Sequence, residues 1–266
     1  MPTSIASIFE RYPSLANLRD LVSDEFVKSE IFPHVAEYEA VYDKAKAKIP
    51  MALLADVFPS EIEEGEIRLE KFLGHWGNIR VEPVAKIALI CKFLKPKNVF
   101  EFGTYNGMTT RQIALNTPDD AKIYTLDLPP GKATNTQFKL REFDRVISEV
   151  FPKKFESAVG SYFKNTPQEK KITQLLGDSA TYDFKPYFGK MDLVFIDAAH
   201  DYDNKKSDSE NALKMLTPKG AIVWDNYADV LAPDVTRYML ELAQKVPIFH
   251  LRGTFLAVYW AGHKAK

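Results

Sequence analysis

Residues 99–114 read VFEFGTYNGMTTRQIA, and the fold turns on this stretch. An apolar run carrying one acid, Glu101, leads into Gly103, and Gly107 then opens a segment of helical character. Glycine takes backbone angles closed to other residues and lets main chain approach a ligand closely. The start of a helix adds free N–H groups at the same place. The spacing is G-x-x-x-G; it lacks the third glycine of the G-x-G-x-x-G dinucleotide fingerprint. Asp127 lies twenty residues beyond Gly107, at the end of the next apolar run. An acid there is placed to accept hydrogen bonds from two ribose hydroxyls, or to be an ordinary strand-end acid beside a tight turn.

Outward from this turn, short apolar runs alternate with helical stretches. They are NVFEF (98–102), KIYTLD (122–127), KITQLL (171–176), DLVFID (192–197) and GAIVWD (220–225). Runs that are apolar on both faces and separated by helices mark a parallel α/β sheet. VPIFHLRGTFLAVYW (246–260) is two strand-like runs meeting at Arg252-Gly253-Thr254, a hairpin that closes one edge with an antiparallel strand. PVAKIALICKFL precedes the first run as a helix. Residues 1–80 form a helical extension or cap, and 81–266 the main domain. In the extension, FPHVAEYEAVYDKAKAKIP carries a helical stripe that Pro33 starts and Pro50 stops, and EIEEGEIRLEKFLG reads as a further helix ending near Gly74. An insertion at about 128–171 is longer than a plain crossover requires. TQFKLREFDRVISEVFPKKF gives it one helix, and VGSYF a short strand or turn.

Composition narrows the function. Hydrophobic residues at 45% and charged residues at 27% suit a globular chain. A formal charge of -1 provides no global field for nucleic acid or an anionic membrane, so neither is expected as a partner. The single cysteine, Cys91, excludes an intrachain disulfide and sits in an apolar run as a buried thiol. No apolar run is long enough to span a bilayer, and the first residues do not resemble a secretory leader, so the expected location is the cytoplasm.

Three further stretches carry chemistry. LLGDSATYDF places Asp178 and Ser179 after the third run, where a carboxylate can accept from an exocyclic amine or either residue can cap a helix. DLVFIDAAHDYD (192–203) delivers Asp197 and, three residues on, His200. AIVWDNY ends in Asp225 and Asn226. Open α/β sheets bind ligands at the carboxyl ends of their strands. Two carboxylates and an amide oxygen on neighbouring strand ends form a hard site suited to magnesium; the same residues also favour turns. His200 is a candidate base or a loop-fixing residue. Tyr202 divides between pocket and packing, Asp208 reads as structural and Trp224 as core. His34, His75, His250 and His263 form no metal spacing.

Taken together, VFEFGTYNG, YTLD, LLGDS, the DLVFIDAAHDYD stretch, WDNY and the closing hairpin resemble a class I S-adenosylmethionine-dependent methyltransferase over roughly residues 84–260. The narrower likeness is to the small-molecule O-methyltransferase-like branch with an IDxxHxY motif at strand four. The resemblance implies a Rossmann-like sheet of seven strands in the order 3-2-1-4-5-7-6, the last antiparallel. It implies S-adenosylmethionine held by Glu101, Gly103, Thr104, Tyr105, Gly107, Asp127, Asp178, Ser179 and Asp197, and magnesium, where a metal is used, held by Asp197, Asp225 and Asn226. His200 takes the base position in some sugar O-methyltransferases, whereas catechol-type enzymes carry a lysine nearby; this chain has Lys205 and Lys206 further on. The expected reaction is methyl transfer to a hydroxyl of a small, sugar-like molecule, with His200 and Asp197 catalytic. Metal-independent N-methyl transfer, a non-catalytic partner-binding protein and a nicotinamide oxidoreductase are the alternatives. The N-terminal helices are candidates for a homodimer contact.

Overall fold

The structure is a computed structural model that describes residues 4–19, 22–43, 45, 47–74, 77–130, 136–141, 143–145 and 158–263. Its centre is one sheet built from β1 (Met51–Ala52), β2 (Asn98–Phe102), β3 (Lys122–Asp127), β4 (Ile172–Leu176), β5 (Met191–Ile196), β6 (Leu216–Trp224), β7 (Phe249–Leu251) and β8 (Ala257–Trp260). The sheet has eight strands in the order β1-β7-β8-β6-β5-β2-β3-β4, which corrects the expected seven-stranded order 3-2-1-4-5-7-6. Strands β6, β5, β2, β3 and β4 run parallel, and β8 is antiparallel to both β6 and β7.

The unexpected member is β1, which pairs parallel with β7 from the segment expected to be a helical extension. Two residues are too few to show a period of two. The strand exists because the Pro50 and Ala52 carbonyls accept the His250 and Arg252 N–H groups at 2.8 and 2.9 Å. Its side chains alternate all the same, with Ala52 buried and Met51 exposed.

The central strands explain their own sequence. In β2, β5 and β6, residues such as Phe100, Phe102, Val194, Ile196, Ile222 and Trp224 are fully buried on one face, and Val99, Leu193, Phe195, Ala221 and Val223 on the other. Each large side chain taken fully out of water contributes about 1.5–3 kcal/mol. Trp224 is core as expected, and its indole N–H donates to Ser209 Oγ at 2.9 Å. Cys91 is buried in the helix Val81–Leu94, and that burial pushes its thiol up to about 12.

The N-terminal segment departs from its pattern twice. The helical run begins at Asp24, capped by the Ser23 side chain, and continues through Pro33 to Asp43. Proline removes a donor and crowds the preceding turn. The wider turn at Val27–Ile31, with Phe32 N–H reaching the Val27 carbonyl, accommodates it. The expected helix over EIEEGEIRLEKFLG is only a 3-10 turn at Ser60–Glu64. Beyond it residues 65–70 are neither helix nor strand, and side-chain amides occupy backbone groups there. Asn116 bonds Arg68 N–H and C=O at 2.9 and 2.8 Å, and Gln112 does the same for Glu70 at 3.1 and 2.8 Å.

The apolar stripe of the N-terminal helices is buried within the chain: Ile8, Leu15, Leu18, Val27, Ile31 and Val35 pack with Phe143 and Val230. Most of the helix expected in the insertion (residue 142 and residues 146–155) lies outside the described residues, as do 131–135 and His75. VGSYF is a turn, not a strand. No helix among the described residues is long and apolar enough to cross a membrane.

Candidate active site

The carboxyl ends of the parallel strands form one continuous rim. Gly103 N–H donates to the Leu126 carbonyl, Gly177 N–H to Asp127, and Asp197 N–H to Phe102, each at 2.9 Å. Asp225 N–H completes the chain on the Ile196 carbonyl at 3.0 Å. Neighbouring strands therefore fix one another where their polar side chains emerge. Above the rim lies a cavity of about 1050 Å³ lined by Gly103, Thr104, Tyr105, Asp127, Asp178, Ser179, Asp197, His200, Asp225 and Asn226. Glu101 and Gly107 are not among its lining residues.

That turn is the tightest part of the site. Gly103 has φ +91°, and a Cβ there would lie 2.1 Å from the Asp197 carbonyl oxygen. Gly107, at φ +82°, would place a Cβ 2.6 Å from the Phe163 ring. Tyr105, between them, is held at φ +46°. Its N–H donates to Asp127 Oδ2 at 2.6 Å, and Leu128 N–H donates to Oδ1 at 2.7 Å. Each Asp127 oxygen keeps a lone pair for a ligand hydroxyl. Burial pushes the Asp127 carboxyl up, and these amides oppose it.

Glu101 is fully buried. Its Oε2 accepts from Thr110 and, at 2.5 Å, from Thr125, whose Oγ1 also meets Thr104 Oγ1 at 2.7 Å. Oε1 has no partner, and burial pushes the group up to about 7 against the two threonines. Asp178 caps no helix. It accepts from Ala180 N–H at 3.0 Å as a turn residue, while Thr136 Oγ1 and Gln137 N–H tie the insertion to it at 2.9 and 2.7 Å.

Asp197 and Asp225 face the same space from adjacent strands. Both carboxyls are raised, Asp197 by burial and then by Asp225, and Asp225 to about 6 chiefly by burial. Asn226 sits at φ +70°, and its Oδ1 is buried with no partner. Among the described residues no group of three or more His, Cys, Asp or Glu is arranged to hold a metal. The expected set has two carboxylates and an amide.

His200 does not cap the following helix (Tyr202–Met215); Asp201 does, accepting Asn204 N–H at 3.0 Å. The His200 Nδ1 lies 2.8 Å from Asp144 Oδ1, and a third of its side chain is open to the cavity. Burial works against a charged ring. The Asp144 carboxylate more than reverses it, with Asp197 adding and Lys205 opposing, so the imidazole is pushed up to about 9. Tyr202 turns away, its hydroxyl donating to Glu241 at 2.6 Å.

Asp144 escaped the sequence reading, and Lys205 figured in it only as a lysine further on from His200. Asp144 lies in an insertion with no diagnostic pattern. Lys205 is fully buried without a hydrogen-bond partner, faced by Asp197, Asp208, Asp225 and Asp201, and burial lowers its ammonium. Its signal was a lone cation on the apolar side of an amphipathic helix.

Residues 100–227, which contain the whole rim, match the family model described as a methyltransferase domain. Caffeoyl-CoA O-methyltransferase 2 of Petunia hybrida is 25% identical over 173 residues, covering 64% of this chain and 63% of that protein. Caffeoyl-CoA O-methyltransferase 3 of Nicotiana tabacum is 25% identical over 177 residues, covering 65% of each. The chain thus spans just under two thirds of the length of these curated relatives. The methyltransferase PaMTH1 of Podospora anserina, solved with SAH, aligns with a TM-score of 0.47 at 16% identity over 91% of this chain and 95% of that one. The matched segment begins within β2 and ends at Tyr227, just past the Asp225-Asn226 pair.

Proposed function

We propose that the chain transfers a methyl group from S-adenosylmethionine to a hydroxyl of a small molecule. One observation carries the reading: a glycine turn with a ribose-type acid and a cluster of Asp197, His200, Asp225 and Asn226 open into one cavity. Its volume, about 1050 Å³, accommodates a cofactor with an acceptor beside it.

The sulfonium supplies the leaving group, so the protein's work is alignment and exclusion of water. Gly103, Thr104 and Tyr105 bring backbone against the cofactor, Asp127 accepts its ribose hydroxyls, and Asp178 with Ser179 borders its adenine end. Asp197 is shared between the two halves of the site. His200 offers its free Nε2 to the acceptor's proton.

Magnesium fits Asp197, Asp225 and Asn226. The Asn226 oxygen is buried without a partner, and the two carboxyls raise one another's cost of ionisation where a cation would relieve it. When bound there, it would make an acceptor hydroxyl more acidic. A polar rim with histidine rather than lysine after Asp197 supports an aliphatic, sugar-like hydroxyl. The elevated His200 favours one rival, metal-independent methylation of an amine, which needs no strong base. Incubation with methyl-labelled cofactor and panels of hydroxylated and amine metabolites, with and without magnesium, separates the two. Label transfer to hydroxyls only with magnesium is expected. No transfer to any hydroxyl, with cofactor bound, would overturn the reading.

A further inference from the structure

We propose that Asp144, from the insertion, is a positioning residue that holds the His200 ring by Nδ1 and leaves Nε2 free for the acceptor. The kinetic consequence rests on the methyl-transfer reading; the geometry does not. Asp144 is 7% exposed and its Oδ1 lies 2.8 Å from Nδ1, a charge-assisted bond to a single ring nitrogen. A histidine fixed at one nitrogen by a carboxylate has its ring plane and its protonated nitrogen set together. The other Asp144 oxygen is buried without a partner, so the carboxylate has no competing bond to draw it from His200.

The segment that leads into Asp144 is anchored at several points before it. Phe143 is buried in the N-terminal cluster, its ring 5.0 Å from His34 and 6.0 Å from Phe26. Arg141 donates to Glu37 at 2.5 Å and to Asp234 at 2.7 Å. Arg237 binds the same two acids at 2.5 and 2.8 Å. Two cations and two anions thus join the N-terminal helices, the insertion and the helix Pro233–Leu242 in one balanced cluster. Earlier in the same segment, Thr136 and Gln137 are tied to Asp178 on the cofactor side. These contacts make Asp144 part of a fixed wall. Through them the N-terminal segment and the insertion together hold one carboxylate against His200.

The charged groups facing His200 are Asp144, Asp197, Asp225, Asp229 and Lys205. Among them, only Asp144 bonds the ring. The test follows His200 by nitrogen-15 NMR in the full-length chain, assigned by its loss in His200→Gln. In the unaltered protein, the ring is expected to titrate well above an ordinary histidine, with Nδ1 protonated once neutral. A ring that titrates ordinarily, or carries its proton on Nε2, overturns the proposal without any further variant. In Asp144→Asn, which keeps the shape of the side chain, the midpoint is expected to fall below the ordinary value as burial takes over. The cofactor's affinity is expected to be unchanged. The high-pH plateau of kcat should drop about 100-fold, with its inflection moved to lower pH and little change in KM. Asp144→Glu is expected to restore part of both. An unmoved His200 titration in Asp144→Asn sinks this proposal alone. Absence of methyl transfer in the unaltered protein sinks the functional reading and leaves the His200 orientation standing on the NMR result.

Discussion

Gly103→Ala is the sharpest perturbation of the site. The added Cβ would sit 2.1 Å from the Asp197 carbonyl oxygen and 2.9 Å from the Ala198 nitrogen, both backbone atoms that no rotamer change can move. A close carbon–oxygen contact needs about 3.3 Å, so the turn and the end of β5 must separate by about 1.2 Å. Alanine at φ +91° also carries backbone strain of about 1–3 kcal/mol. Forcing the packed backbone apart costs about 1–3 kcal/mol more, giving about 2–6 kcal/mol in total. The Asp197 N–H to Phe102 bond crosses the seam that would open. A displacement of about 1 Å at the rim should weaken cofactor binding about 100-fold. Urea denaturation reads the first effect as a lower midpoint with unchanged slope. Calorimetric titration with S-adenosylhomocysteine reads the second. A stability change under about 0.5 kcal/mol, typical of an unconstrained surface position, would refute the close-approach reasoning.

Four other outcomes follow from the same contacts. With His200 pushed up to about 9, only about 1% of it is available as a base at pH 7. Initial rates should therefore rise roughly tenfold per pH unit towards 9 and then level, and His200→Ala should remove the inflection. Glu101 has a folded pKa raised from 4.5 to about 7. The native state therefore holds a proton that the unfolded chain releases, and the Glu101 contribution to stability should fall by about 3 kcal/mol as pH rises from about 4.5 to 7. Denaturation of Glu101→Gln across that range should show a shallower slope, lacking the Glu101 share while the other buried carboxyls keep theirs. Chelation of divalent ions should lower hydroxyl methylation without altering cofactor affinity, and Asp225→Asn should weaken magnesium binding measured by calorimetry; full activity in chelator would remove the metal from Asp197, Asp225 and Asn226. Asn116→Ala frees the Arg68 N–H and carbonyl from their side-chain partner. It should destabilise the chain by about 1–3 kcal/mol and raise amide exchange near residue 68.

The strands that carry the site were visible from local pattern alone. VFEFG, YTLD, LLGDS, DLVFID and AIVWDN each place an acid or glycine where an apolar run stops, and each emerges on the same rim. A strand buried on both faces needs an uninterrupted apolar run, and its end needs a polar turn; both are properties of consecutive residues. What is not local was missed. Strand β1 is two residues held by the backbone of β7, and the irregular stretch at 65–70 is held by two amides more than forty residues away. Helical spacing alone could not register either competitor. Asp144 and Lys205 gain their significance only from what surrounds them: a histidine 56 residues further along the chain for the first, four carboxylates for the second. The sequence by itself determined the alternation of strands and helices and the residue types at each strand end. Tertiary structure decided which of those ends share one cavity, how many strands the sheet holds, and which carboxylate governs His200. Charge and hydrogen bonding act through space, and their partners come from distant parts of the chain.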